Sequence, residues 1–204
     1  MGFGFLIIGY FLAFLMSNFH SAFAFAGAYL MTIGLWKLKN YKRKFTYTLY
    51  PLALFMLLAL KDTVLDILSI FGGYPSFFEG AAVTAIFEFL YIASISLFNI
   101  MLFISISELA KDVGLEKIKV SALRNLCFFA IYTVLCAIRF LPVNYPSEFL
   151  RYLNLIIQLM QLLWIALAII MLFSCFRNMV DKDQLEKELA EDAQKELKKG
   201  TGGK

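Results

Sequence analysis

The stretch that decides the fold is Leu57–Glu88, LLALKDTVLDILSIFGGYPSFFEGAAVTAIFE. It consists of two apolar segments joined by the turn sequence Gly72-Gly73-Tyr74-Pro75, and four of its five charged residues lie inside those segments: Lys61, Asp62, Asp66 and Glu88. A charged side chain at bilayer depth costs about 3 kcal/mol or more, so such residues usually face a bundle interior or a water-filled cavity. These four residues are therefore the strongest functional lead in the sequence.

The composition outside this stretch indicates a membrane protein. Of 204 residues, 61% are hydrophobic and 17% are charged, whereas soluble domains average about 45–50% apolar and about 25% charged residues. The apolar segments take up nearly the whole chain, which leaves no room for a separate soluble domain. The formal net charge of +4 does not indicate a nucleic-acid partner, because most of the charged residues lie between the apolar segments or in the tail.

The pattern predicts an all-α fold, a polytopic integral membrane bundle of about six transmembrane helices. We expect the bundle to comprise residues 1–178, and a short charged helix with a flexible tail to follow at 179–204. The predicted spans lie near residues 2–16, 22–38, 46–71, 79–107, 121–141 and 149–176.

The first two spans need a turn between them, since a single helix from residue 2 to 38 would be about 55 Å long, far more than a hydrocarbon core. Turn and capping residues cluster at Ser17-Asn18-Phe19-His20-Ser21. The alternative is a cleaved signal peptide, because Ala22-Phe23-Ala24 resembles a cleavage site, although no basic residues precede the apolar region.

Basic residues predict the orientation. They are concentrated after the second span, between the fourth and fifth spans, and in the tail, while the turns after the third and fifth spans have fewer or none. By the positive-inside rule, both termini are expected in the cytoplasm. The expected location is a plasma membrane or a bacterial inner membrane.

Polar residues follow regular spacings within several spans. Asp62 and Asp66 are four residues apart and share one helix face, and Glu88 is predicted at a depth similar to that of Asp62. The sixth span carries a stripe at offsets of 0, 3, 7 and 10. These positions predict an outward-facing intramembrane pocket with the following ligand-binding residues: Lys61, Asp62, Asp66, Glu88, Arg139, Arg151, Asn154, Gln158 and Gln161.

The charges of these residues nearly cancel, which leaves two interpretations open. In one, they form a closed internal network, with Lys61 paired to Glu88 or Asp62 and the arginines paired to Asp66. In the other, the pocket binds or transports a small polar solute or ion, and the chain is a transporter or the membrane subunit of a larger one. The cationic residues would then bind anionic groups, the carboxylates would bind cations or exchange protons, and the amides would recognise polar groups.

Two further function classes are compatible with the sequence. A sensor or adaptor would signal through the charged helix at 181–199. An intramembrane enzyme would use Asp62 and Glu88 as acid and base, but the sequence has no nucleophile-and-base or metalloprotease motif, so we lean against an enzyme.

No cofactor or metal is expected. Cys127, Cys136 and Cys175 lie in apolar segments without C-x-x-C spacing, and the chain has one His. The expected partners are the lipid bilayer and a small polar solute or ion, not nucleic acid. The small residues of Ala22–Gly34 are expected to pack against the first helix or another protein, and the C-terminal helix is a second candidate surface for a protein partner.

Overall fold

The computed structural model describes residues 2–72, 80–138 and 146–201, with side chains described as far as residue 178 and not at position 81. Over these residues the chain is all-helical, which confirms the predicted fold class. The helices are α1 (Gly2–Phe14), α2 (Ser21–Leu38), α3 (Lys44–Ile70), α4 (Ala81–Asp112), α5 (Glu116–Ile138) and α6 (Ser147–Thr201), with a short 3-10 turn at Met16–Asn18.

Four helices are long and apolar enough to cross a membrane: α2, α4, α5 and the Ser147–Asn178 part of α6. They indicate a membrane protein. The predicted count of about six spans is not confirmed, because α1 has only 13 residues and α3 carries Lys61, Asp62 and Asp66.

The six helices form a closed ring. Each packs against its neighbour in the sequence, and α6 packs against α1. The indole of Trp164 lies at the centre, 5.0–5.7 Å between ring centroids from four other rings. We call the interior rings the aromatic core, which consists of Tyr10, Phe14, Phe55, Tyr91, Phe129, Tyr132 and Trp164.

Glycine residues allow α1 and α2 to pack with their backbones in contact. A Cβ atom on Gly27 would lie 2.5 Å from the carbonyl oxygen of Gly9, and one on Gly2 would lie 2.5 Å from that of Gly34. Small residues permit this close approach between membrane helices. The small-residue face of Ala22–Gly34 is therefore used by α1, and a protein partner at that face has no support in the structure.

Local signals explain where several helices begin and end. His20 caps α2, because its Nδ1 accepts a hydrogen bond from the Ala22 N–H at 3.1 Å. Gly114, with a φ of 73°, follows α4, and the Leu115 N–H donates to the carbonyl of Ala110 at 2.8 Å, as in a Schellman motif. In contrast, α6 is one helix of 55 residues, since neither Gly nor Pro occurs between Ser147 and Lys199.

At one end of the bundle, ion pairs join the segment between α2 and α3 and the first residue of α3 to the last turns of α4. Lys42 Nζ lies 2.6 Å from Asp112 Oδ2 and 3.5 Å from Glu108 Oε2, while Lys44 Nζ lies 2.5 Å from Glu108 Oε1. The hydrogen bond to Asp112 is the main cause that raises the pKa of Lys42, and the charge of Asp112 adds to it. The basic loop after α2 and the end of α4 therefore lie on the same side, which we call the basic end.

Candidate functional site

The carboxylates of α3 continue the face of that helix that points into the ring. Phe55 and Ala59 on this face are buried, and Asp62 and Asp66 follow them at helical spacing. Exposure increases along the face, because Asp62 is half-buried and Asp66 is exposed. The inward face of α3 is therefore more exposed near Asp66 than near Phe55.

Helix α4 shows the same trend. The hydroxyl of Tyr10 on α1 donates a hydrogen bond across the ring to Asn99 Oδ1, so the face that carries Asn99 points inward. Ile95 is half-buried, and Glu88, about three turns before Asn99 and on the same face, is exposed. Glu88 therefore lies on the interior face, away from the basic end.

The amide stripe of α6 also becomes more exposed in this direction, although Leu153 and Ile157, which align with Trp164, stay buried against α5. Trp164 is buried, Gln161 is half-buried, and Gln158 and Asn154 are exposed. The stripe lies on the flank of α6 that includes Phe176, a residue in contact with Gly4 of α1.

Helix α1 ends too early to cover this stripe. Its last residue, Phe14, packs its ring 5.3 Å from that of Trp164. The turns of α6 that precede Trp164, from Ser147 to Gln161, therefore extend beyond the α-helical part of α1. On α3 and α4, buried residues of the inward face give way to exposed polar residues in the same direction, and on α6 the flank that carries the amides is exposed there. We call this side of the molecule the open end.

The two described cationic residues predicted for the site, Lys61 and Arg151, each lie near an aromatic ring. Lys61 pairs with its neighbour Asp62 at 2.7 Å, and its ammonium group lies 4.2 Å from the centroid of the Phe87 ring, between α3 and α4. Arg151 lies over the ring of Tyr152. Arg139 falls outside the described residues.

The structure brings together only part of the predicted set. Lys61 and Asp62 form an ion pair, and Asp66 accepts a hydrogen bond from the Ser21 hydroxyl at 2.5 Å. Among the described residues, the amides of α6 make no hydrogen bond to the carboxylates of α3 or α4. In the part of the chain that the structure describes, the predicted closed network is seen at the pair of Lys61 and Asp62.

Sequence reasoning did not identify the buried polar groups of Asn125 and Trp164. Asn125 Nδ2 donates to the carbonyl of Leu167 at 3.0 Å, while Asn125 Oδ1 and Trp164 Nε1 are buried without a hydrogen-bond partner in the described part of the chain. A lone amide within an apolar span, such as Asn125, was the available signal, because a buried amide needs a partner.

Within the described residues, no group of three or more His, Cys, Asp or Glu side chains is arranged to hold a metal ion. No family model, curated protein or solved structure matches the chain. The function is therefore argued from the residues of this chain.

Proposed function

We propose that this chain is a six-span membrane protein whose open end binds a small polar solute or ion for transport, alone or as the membrane subunit of a larger transporter. The observation that carries the proposal is that Asp62, Asp66 and Glu88 continue the interior faces of α3 and α4 toward the open end. Charged side chains in such positions mark solute and ion pathways in membrane proteins.

Packing supports α1 and α3 as the two additional spans. Helix α1 lies between α2 and α6, and α3 lies between α2 and α4, so each is flanked by helices that are long enough to cross. The basic end carries Lys42, Lys44 and the positively charged connections, and it would face the cytoplasm of a plasma membrane or bacterial inner membrane together with both termini.

Cysteine labelling tests this topology. In sealed cells, we expect a membrane-impermeant maleimide to label Gly80→Cys and Ser147→Cys, and to label Asn40→Cys and Lys117→Cys only after permeabilisation. The unmodified chain measures the background labelling of its three native cysteines. An epitope tag fused to the N-terminus should be accessible to antibody only after permeabilisation. Labelling of positions 40 and 80 from the same side would show that α3 does not cross.

The charge distribution favours a solute that carries positive charge. Of the three carboxylates on interior faces, Asp62 is paired with Lys61, while Asp66 and Glu88 have no cationic partner among the described residues. Asn154, Gln158 and Gln161 would supply hydrogen-bond donors and acceptors along α6. Binding of an anion by Lys61, Arg139 and Arg151 has less support than binding of a cation. Proton exchange at Asp62 or Glu88 is part of the same proposal.

Ligand-dependent stability tests the solute site. We expect a member of a panel of amines, amino acids and metal cations to raise the melting temperature of the purified protein, since a ligand at 100 times its Kd adds about 2.7 kcal/mol to stability. Glu88→Gln and Gln158→Leu should each reduce this shift by more than half.

Glu148→Gln is the matched control. Glu148 is also an exposed carboxylate near the open end, but it lies on the opposite side of α6 from Trp164, so its neutralisation should leave the ligand shift intact. If no compound in the panel stabilises the protein, while Glu88→Gln destabilises it and Gln158→Leu does not, the carboxylates have a structural role and the proposal is wrong.

A membrane sensor or adaptor is the second candidate, and the continuity of α6 favours it. One helix of 55 residues, about 80 Å long, runs without interruption from the open end into the tail. Deletion of residues 182–204 should leave solute binding unchanged in a transporter, whereas a sensor would keep binding but lose its output.

A further inference from the structure

The basic end contains two groups of cationic side chains with different surroundings. Lys42 and Lys44 are paired with Glu108 and Asp112. Lys37, Lys39 and Arg43 have no carboxylate partner in the described part of the chain. Three positive charges therefore remain uncompensated within a segment of seven residues.

Aromatic rings hold two of these three cations. The ammonium group of Lys37 lies 4.4 Å from the centroid of the Phe5 ring, and that of Lys39 lies 3.1 Å from the centroid of the Trp36 ring. Arg43 is exposed. A ring face attracts a cation without neutralising it, so the positive potential of the segment persists.

Exposed aromatic residues flank the segment on both helices. Trp36, in the last turn of α2, is 60% exposed, and Tyr47 and Tyr50, in the first turns of α3, are 51% and 70% exposed. Tryptophan and tyrosine are enriched where membrane helices meet the lipid headgroups. From this enrichment we expect Lys37, Lys39 and Arg43 to lie at headgroup depth, within reach of lipid phosphates.

We propose that Lys37, Lys39 and Arg43, together with Trp36, form a binding site for the headgroup of an anionic phospholipid. The negative headgroup complements the uncompensated charge, and the indole of Trp36 packs beside the glycerol and upper acyl region. A basic residue close to an anionic membrane surface contributes roughly fivefold to binding. The site needs only that the helices cross a bilayer, so its failure would leave the proposed solute site untouched.

Trp36 provides a direct reporter of this site. The chain has two tryptophans, and Trp164 is buried in the aromatic core, so Trp164→Phe leaves Trp36 as the sole tryptophan, which can be excited selectively over the tyrosines. In this background, we would reconstitute the protein with brominated phosphatidylglycerol or brominated phosphatidylcholine at equal mole fractions. Quenching then yields the relative binding constant of the anionic lipid at Trp36.

We expect phosphatidylglycerol to bind at Trp36 at least about fivefold more tightly than phosphatidylcholine, and the preference to weaken in 1 M salt, where the Debye length is about 3 Å. Lys37→Gln combined with Arg43→Gln should lower the ratio by about fivefold or more, while Lys39 keeps part of the preference. The matched control is Lys111→Gln combined with Lys117→Gln, which removes the same charge from exposed positions near the basic end. This control should keep the preference.

Lys42→Gln separates lipid binding from folding. It leaves Asp112 without its cation, so it should lower stability equally in zwitterionic and anionic bilayers while the lipid preference at Trp36 is kept. Equal loss of the preference in both double variants would reduce the effect to general charge attraction and overturn the site. Equal quenching by the two lipids in the Trp164→Phe protein would overturn the site as well. The surface would then suit an acidic protein partner instead.

Discussion

Gly27→Ala is expected to lower the free energy of unfolding of the bundle by about 1–2 kcal/mol, although it adds a single methyl group. The new Cβ would lie 2.5 Å from the carbonyl oxygen of Gly9 and 2.7 Å from the Cβ of Ala13. These neighbours are part of α1 itself, so relief requires the two helices to move apart. Overpacking of this kind costs about 1–3 kcal/mol, which outweighs the gain in helix propensity of about 1 kcal/mol.

Gly4→Ala is the matched control, because Gly4 is also a residue of α1 but faces α6. A Cβ on Gly4 would lie 3.6 Å from Cε2 of Phe176, an ordinary van der Waals contact with a side chain. The substitution should therefore be neutral or stabilise the protein by up to about 1 kcal/mol. Equilibrium unfolding of both variants in the same detergent measures the difference, and equal destabilisation would show that close contact between α1 and α2 is not the cause.

Trp164→Ala is expected to be the most damaging single substitution, with a loss of about 3–5 kcal/mol. Trp164 is the largest of the fully buried side chains, and its indole contacts rings from α1 and α5. Its removal leaves a cavity where α1, α5 and α6 meet. Denaturant unfolding followed by circular dichroism measures the loss of stability.

Trp164→Phe tests the reason for this loss. Phenylalanine keeps much of the ring packing and removes an indole N–H that has no hydrogen-bond partner among the described residues, so its cost should be less than half that of alanine. A buried donor without a partner costs free energy, and its removal offsets part of the lost packing. A cost for phenylalanine as large as that for alanine would show that the N–H has a partner, such as a bound water or ligand.

Much of the helical architecture could be predicted from short segments of the sequence. Apolar length predicted the helices, the turn residues around His20 predicted the break between α1 and α2, and Gly72 and Gly114 follow helix ends with positive φ. Each of these features depends on residues within one or two turns of it. The charged helix expected at 179–204 continues directly from the preceding span in α6, because a change from apolar to charged composition does not by itself end a helix when no Gly or Pro intervenes.

The candidate site could be predicted only as faces of single helices. The spacing of Asp62 and Asp66 places them on one face of α3, and the amide stripe of α6 is visible as a periodic pattern. The direction taken by Lys61, toward the ring of Phe87 rather than the interior, depends on how α3 and α4 pack. The periodicity of the sequence does not show which of two neighbouring helices a side chain contacts.

The sequence by itself determined the helical class, the membrane character and the periodic polar faces, because hydrophobicity, capping and turn preferences act over a few residues. Only the tertiary structure decided that α6 closes the ring on α1, that Gly9 meets Gly27, and that Tyr10 reaches Asn99. Such contacts join residues far apart in the chain, and they arise from the shapes of whole helix surfaces packed together. For the same reason, the division of the basic segment into paired and unpaired lysines follows from where α4 ends in space.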